Sequence, residues 1–149
     1  MKRRTSAGFS LIELLMVLAV AGTLTALAIP VFRSSMRTFQ LNSAVTATTG
    51  AIQATRFQAI MRGYQYEIII TASTRSYQVY NMPATTFVAV GSAVPITSAP
   101  ITINQNVTLV FSPNGTVTGT PTNMTFTMTN AGLTKQIVVS GVGNVSVTP

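Results

Sequence analysis

Glu13 is the single charge in the run FSLIELLMVLAVAGTLTALAIPVF, residues 9–32, and its position constrains the chemistry of this chain more than any other residue. A carboxylate among apolar side chains near one end of a membrane-length helix is costly unless it reaches the interface or meets a cation. Glu13 is therefore either a snorkelling interfacial acid or a partner for a charge supplied from elsewhere. The small residues Ala7 and Gly8 immediately precede the apolar run. An ordinary secretory signal has its small-residue cleavage site after the apolar stretch. A cut after Gly8 would do the reverse, removing the basic leader Lys2-Arg3-Arg4 and keeping the hydrophobic segment.

The rest of the chain offers little reactive chemistry. Glu67 is the only other acid, and there is no cysteine and no histidine. That composition excludes disulfides, thiol catalysis, zinc sites built on Cys or His, and a Ser-His-Asp triad. With no paired carboxylates and no nucleophile-base pair, neither catalytic residues nor a bound metal or cofactor are expected, and the chain does not read as an enzyme. Glu67 is expected to pair with an arginine across neighbouring strands.

The elements that position these residues follow from length and pattern. The 149 residues suit one globular unit plus its terminal extensions. Charged residues make up only 7% of the chain, so its surface is polar but hardly ionic. The formal charge of +7 falls to +4 once Lys2, Arg3 and Arg4 are removed, leaving six basic and two acidic residues. Residues 9–32, as a helix of about 36 Å, are long enough to cross a hydrocarbon core of roughly 30 Å. The leader cations outweigh Arg33 and Arg37 on the far side, which keeps the amino terminus cytoplasmic and sends residues 33–149 outward.

Beyond residue 32 the helical spacing continues through Met36, Phe39, Val45, Ile52 and Ala59, with Gly63 as a stop. One helix is expected over residues 10–62, its second half amphipathic. Pro30 should kink or locally melt it near Ala26–Pro30, and Gly50 with the Thr-Ala run before it is a second point where it could break. After Gly63 come short β-branched and aromatic runs. Strands are expected at 64–71, 76–81, 86–90, 101–103, 107–111, 124–129, 135–140 and 144–147, with turns at 72–75, 112–115 and 130–132. The Pro- and Ser-rich stretch Gly91–Pro100 is expected to be an irregular or mobile loop. The fold class is α+β: a long amino-terminal helix, half membrane-spanning and half amphipathic, covered by a mostly antiparallel sheet.

The segment Gly8-Phe9-Ser10-Leu11-Ile12-Glu13-Leu14-Leu15, followed by Pro30, resembles the leader signal of type IV pilins and type II secretion pseudopilins. Three later stretches are similar to the GspH/FimT-like minor pilins and pseudopilins: residues 54–63, ATRFQAIMRG; residues 110–115, VFSPNG; and residues 136–140, QIVVS. The resemblance implies a prepilin with the pilin fold, comprising leader 1–8, filament-core helix 9–32 and a periplasmic or extracellular domain 33–149. It implies cleavage by a prepilin peptidase between Gly8 and Phe9, and N-methylation of Phe9. It also implies a role for Glu13 in neutralising the new Phe9 amine, commonly that of a neighbouring subunit, and for Pro30 in assembly. An amine left in an apolar filament core would otherwise be an unpaired buried charge. The implied partners are other pilin or pseudopilin subunits, the peptidase, an inner-membrane assembly platform and, before assembly, membrane lipid. The implied location is a bacterial inner membrane, single-pass, and then a pilus or pseudopilus.

Two alternatives come from other classes. Some FimT-like proteins bind DNA through a Gly-Arg-x-Arg tail, but here that tail reads Gly143-Asn144-Val145-Ser146. Losing two cationic contacts weakens phosphate binding and flattens its salt dependence, so DNA is a disfavoured partner. Arg56, Arg62, Arg75 and Lys135 make a weak candidate anion or DNA patch, although scattered single cations on such a surface more often serve solubility. The second alternative is a plain membrane-anchored or secreted β-domain, uncut at Gly8 or cut downstream by another peptidase, that would not need Glu13 for assembly. Four Asn-x-Ser/Thr matches, at Asn106, Asn114, Asn123 and Asn144, are chance products of an Asn- and Thr-rich chain.

Overall fold

The computed structural model describes residues 9–118 and 124–149; residues 1–8, the expected leader with the Gly8 side of the expected cleavage site, and Asn123 lie outside the described residues. The chain divides into two units, one ending at Met36 and the other spanning Arg37–Pro149.

Helix α1 is continuous from Leu11 to Arg62, including Pro30 and Gly50. Neither residue melts it. At Pro30 one donor is missing, but opening a turn would strand several more backbone groups, which an apolar environment penalises heavily. At Gly50 the neighbours Thr48 and Ile52 are buried on the core side and hold the backbone helical against the weak local propensity.

The part of α1 that belongs to the second unit buries Leu41, Ala44, Val45, Thr48, Ile52, Thr55 and Ala59, a stripe at helical spacing. Its two buried hydroxyls bond to carbonyls one turn back, Thr48 to Ala44 at 2.9 Å and Thr55 to Ala51 at 2.8 Å. Phe39, expected to continue the stripe, lies instead on the outer face of the helix, 68% exposed.

Among the described residues nine strands follow: β1 Gln65–Thr71, β2 Ser76–Met82, β3 Val88–Pro95, β4 Thr102–Ile103, β5 Val107–Phe111, β6 Val117–Thr118, β7 Thr125–Asn130, β8 Leu133–Val139 and β9 Val145–Thr148. They form two sheets rather than one, of order β3-β2-β1-β5-β6 and β4-β7-β8-β9, and every pairing is antiparallel. Strands β1 and β5 alternate strictly, placing Tyr66, Ile68 and Ile70 with Val107, Leu109 and Phe111 in the core. The second sheet contributes Phe126, Met128, Ile137 and Val139 to the same core.

The stretch expected to be a loop from Gly91 is largely ordered. β3 pairs with β2 up to Pro95 across a register shift between Tyr77 and Val79. The side-chain amide of Gln78 fills this bulge by donating to the Gly91 carbonyl at 3.0 Å. The Ile96 amide donates to the Arg75 carbonyl at 2.8 Å, and the Ile96 and Ile101 side chains are buried. The short strand β6 carried no sequence signal of its own.

The β7–β8 connection is a two-residue turn in which Ala131 and Gly132 both have positive φ, 49° and 89°. Just before it, buried Asn130 donates from its amide to the Arg37 carbonyl at 3.1 Å and to Gln40 Oε1 at 3.3 Å, tying the hairpin to the helix.

Candidate functional site

The amino-terminal site is built by the start of α1. The Leu14 amide donates to the Ser10 carbonyl at 3.1 Å, which makes Ser10 the cap residue and Glu13 the third residue of the helix. Ser-x-x-Glu at these positions is the capping-box pattern, a signal legible in the sequence alone. The helix terminus carries partial positive charge on its free amides, which favours the Glu13 carboxylate there. Phe9 stands before the first turn, 80% exposed and four residues from Glu13. A positive group at the Phe9 nitrogen and the Glu13 carboxylate would thus occupy the same end of one helix.

Below Glu13 the surface is apolar. Leu14, Leu15, Val17, Leu18, Val20, Leu24 and Leu27 are all exposed. Each gains about 1.5–3 kcal/mol on leaving water, so together they outweigh the penalty of one partnered carboxylate. The hydroxyls in this segment turn inward: Thr23 donates to the Val20 carbonyl, Thr25 to Ala21 and Ser34 to Val31. Polar groups satisfied within their own helix suit an environment that supplies no hydrogen bonds. By length and composition this helix can cross a membrane.

Of the four candidate cations, Arg56 and Arg62 lie on α1, Arg75 in the β1–β2 turn and Lys135 on β8. Arg56 Nε donates to the Gly115 carbonyl at 3.0 Å and Nη2 to the Val142 carbonyl at 2.9 Å. It staples two similar turns, Ser112–Gly115 and Ser140–Gly143, each closed by a 2.8 Å bond from the glycine amide to the serine carbonyl. Gly143 has φ +80°, and a β-carbon there would come within 2.7 Å of Arg56 Cδ, so side chain and turn are fitted to each other. Arg75 donates to the Ala99 carbonyl at 3.4 Å. Arg62 is exposed in the last turn of α1, and Lys135 sits on β8 opposite Met128. Arg62 precedes β1 and Arg75 follows it, so a seven-residue strand of about 20 Å separates them.

Glu67 has no arginine opposite it. Its cross-strand neighbours are Tyr80 on β2 and Val110 on β5, and partial burial pushes its carboxyl above the usual carboxylate range. The expected cross-strand ion pair is absent because no cation occupies either flanking register position. Among the described residues no group of His, Cys, Asp or Glu could hold a metal ion.

Comparison with known proteins places this geometry. Residues 44–143 match the family model of the type II transport protein GspH, and residues 3–29 match the prokaryotic N-terminal methylation motif. No curated relative matches by sequence. Among solved structures, the type IV minor pilin FimU of Pseudomonas aeruginosa superposes with a TM-score of 0.57 at 17% identity, covering 73% of this chain and 88% of that one. The minor pseudopilin EpsH from the type 2 secretion system of Vibrio cholerae superposes with a TM-score of 0.56 at 12% identity, covering 73% and 96%. At those identities the likeness shows the pilin fold, while the family match spans most of the chain. The chain belongs to the GspH family, with a prokaryotic N-terminal methylation motif at its head.

Proposed function

We propose that this chain is a minor subunit of a pilus or pseudopilus filament, made as a membrane precursor, cut between Gly8 and Phe9 by a prepilin peptidase, and N-methylated on Phe9. The observation that carries this reading is the methylation motif over residues 3–29, which contains the start of a helix with Glu13 in its first turn and an exposed apolar surface behind it. A cut at Gly8 would free the Phe9 amine, and Glu13, on its own subunit or its neighbour, would neutralise it as the helices pack. Residues 9–32 would form the filament core and the domain from residue 33 would coat the outside or cap the tip. Before assembly the same helix would anchor the precursor in the inner membrane, with the domain in the periplasm. The function is mechanical, without turnover of a substrate. A DNA-binding role finds less support, since the Gly143–Ser146 tail carries no arginine and Arg56 directs two of its donors to backbone carbonyls.

Intact-mass analysis of the protein from its native host tests this. A mature chain beginning at methylated Phe9, replaced by the uncut precursor in Gly8→Ala, is the expected result. A wild-type chain that stays uncut, or is cut after Ala28, would leave an anchored or secreted β-domain in its place.

A further inference from the structure

Glu67 is the sole acid of the domain Arg37–Pro149, and it stands near the middle of the middle strand of the five-stranded sheet. The face it occupies is the one turned from the core. Gln65, Ile69, Tyr80, Thr108 and Val110 share that face, all partly exposed and none charged. The next strands outward add Ala89 opposite Tyr80 and Thr118 opposite Val110, again without charge. None of the domain's five cations occupies a register position beside Glu67: Arg37, Arg56 and Arg62 lie on α1, Arg75 lies in the β1–β2 turn and donates to the Ala99 carbonyl, and Lys135 belongs to the other sheet. A half-buried carboxylate without an internal cation lowers the stability of the isolated domain. Its surroundings, uncharged and mixing Ile69, Tyr80 and Val110 with Gln65, Thr108 and Thr118 around a single negative centre, are complementary to a basic side chain carried on a partly apolar surface.

We propose that the outer face of this sheet, centred on Glu67, docks a neighbouring filament subunit through an arginine or lysine that ion-pairs with the Glu67 carboxylate. This rests on the filament reading above and adds a lateral contact between domains to the packing of helices. The partner group slots between Tyr80 and Val110: the tyrosine ring covers the stem of the basic side chain, and the carboxylate receives its charge.

The test is site-specific photocrosslinking of the full chain in its native host. One probe is Thr108→p-benzoyl-phenylalanine on the sheet face, and the control probe is Leu18→p-benzoyl-phenylalanine on the amino-terminal helix. The expected result is that the sheet probe crosslinks to a subunit bearing its own methylation motif, within a peptide containing arginine or lysine. Adding the isosteric Glu67→Gln should lower that yield by about tenfold, as expected for the loss of one interfacial charge pair. Glu67→Arg should abolish the crosslink, and reversing the identified partner cation to glutamate should restore it. Thermal midpoints of the Glu67 variants, measured in detergent, confirm that the domain stays folded. A helix-probe crosslink with no subunit captured by the sheet probe, or a sheet crosslink indifferent to Glu67→Gln, overturns this proposal alone. Failure of both probes overturns the filament reading and this proposal with it.

Discussion

Residues 9–36 and residues 37–149 solve opposite problems with neighbouring stretches of one helix. In the first, leucines and valines are exposed on all sides and the hydroxyls are satisfied within the helix, so its burial must come from lipid or from other subunits. In the second, one stripe from Leu41 to Ala59 is buried against both sheets, and the domain supplies its own core. Helix type and continuity therefore say little about where stability comes from; the distribution of apolar residues around the axis says it.

The sharpest way to break this contrast is to cut equivalent side chains in the two regions. Ile52 is fully buried, so Ile52→Ala should lower the stability of the domain by about 2–5 kcal/mol, while Leu18→Ala should leave its thermal midpoint in detergent unchanged. An equal loss from both would show that the two regions share one cooperative unit. Next in size, Asn130→Ala removes the buried donor to the Arg37 carbonyl and should cost about 1–3 kcal/mol in a denaturant titration.

A smaller change of opposite sign is expected at Gly50. No atom lies within 4 Å of an added β-carbon there, so Gly50→Ala should stabilise the domain by about 0.5–1 kcal/mol, read as a higher melting temperature. The smallest effect is at Glu67. Its folded-state pKa is raised by burial above the ordinary 4.5, so the folded protein holds that proton more tightly than the unfolded chain. Its contribution to stability therefore falls as pH rises from 4.5 through the raised value, and is level above and below that window. Glu67→Gln should raise stability at pH 7 by no more than about 0.5 kcal/mol, with the gain disappearing in acid, which melting curves at both pH values would record.

The long helix, the alternation of β1 and β5, and the turns at residues 72–75, 112–115 and 130–132 were legible in the sequence because each is a local pattern: a period, a run of β-branched residues, or a turn residue between them. The Ser10–Glu13 spacing was equally local. The division into two sheets was not, since it depends on β4 choosing β7 and β5 choosing β1 across long stretches of chain. The order in β3 past Gly91 was hidden for the same reason: Gln78, the Arg75 carbonyl and buried Ile96 hold a segment whose composition reads as a loop.

By itself, then, the sequence determined the apolar helix with its single acid, the absence of Cys and His chemistry, and the α+β class, because composition and periodicity act within a few residues of chain. Tertiary structure alone decided that Arg56 would staple two turns, that Phe39 would face outward, and that Glu67 would stand without a cation on an open sheet. Those outcomes depend on which carbonyls and side chains come to lie opposite one another after folding, and pairing across 59 or 86 residues leaves no local trace.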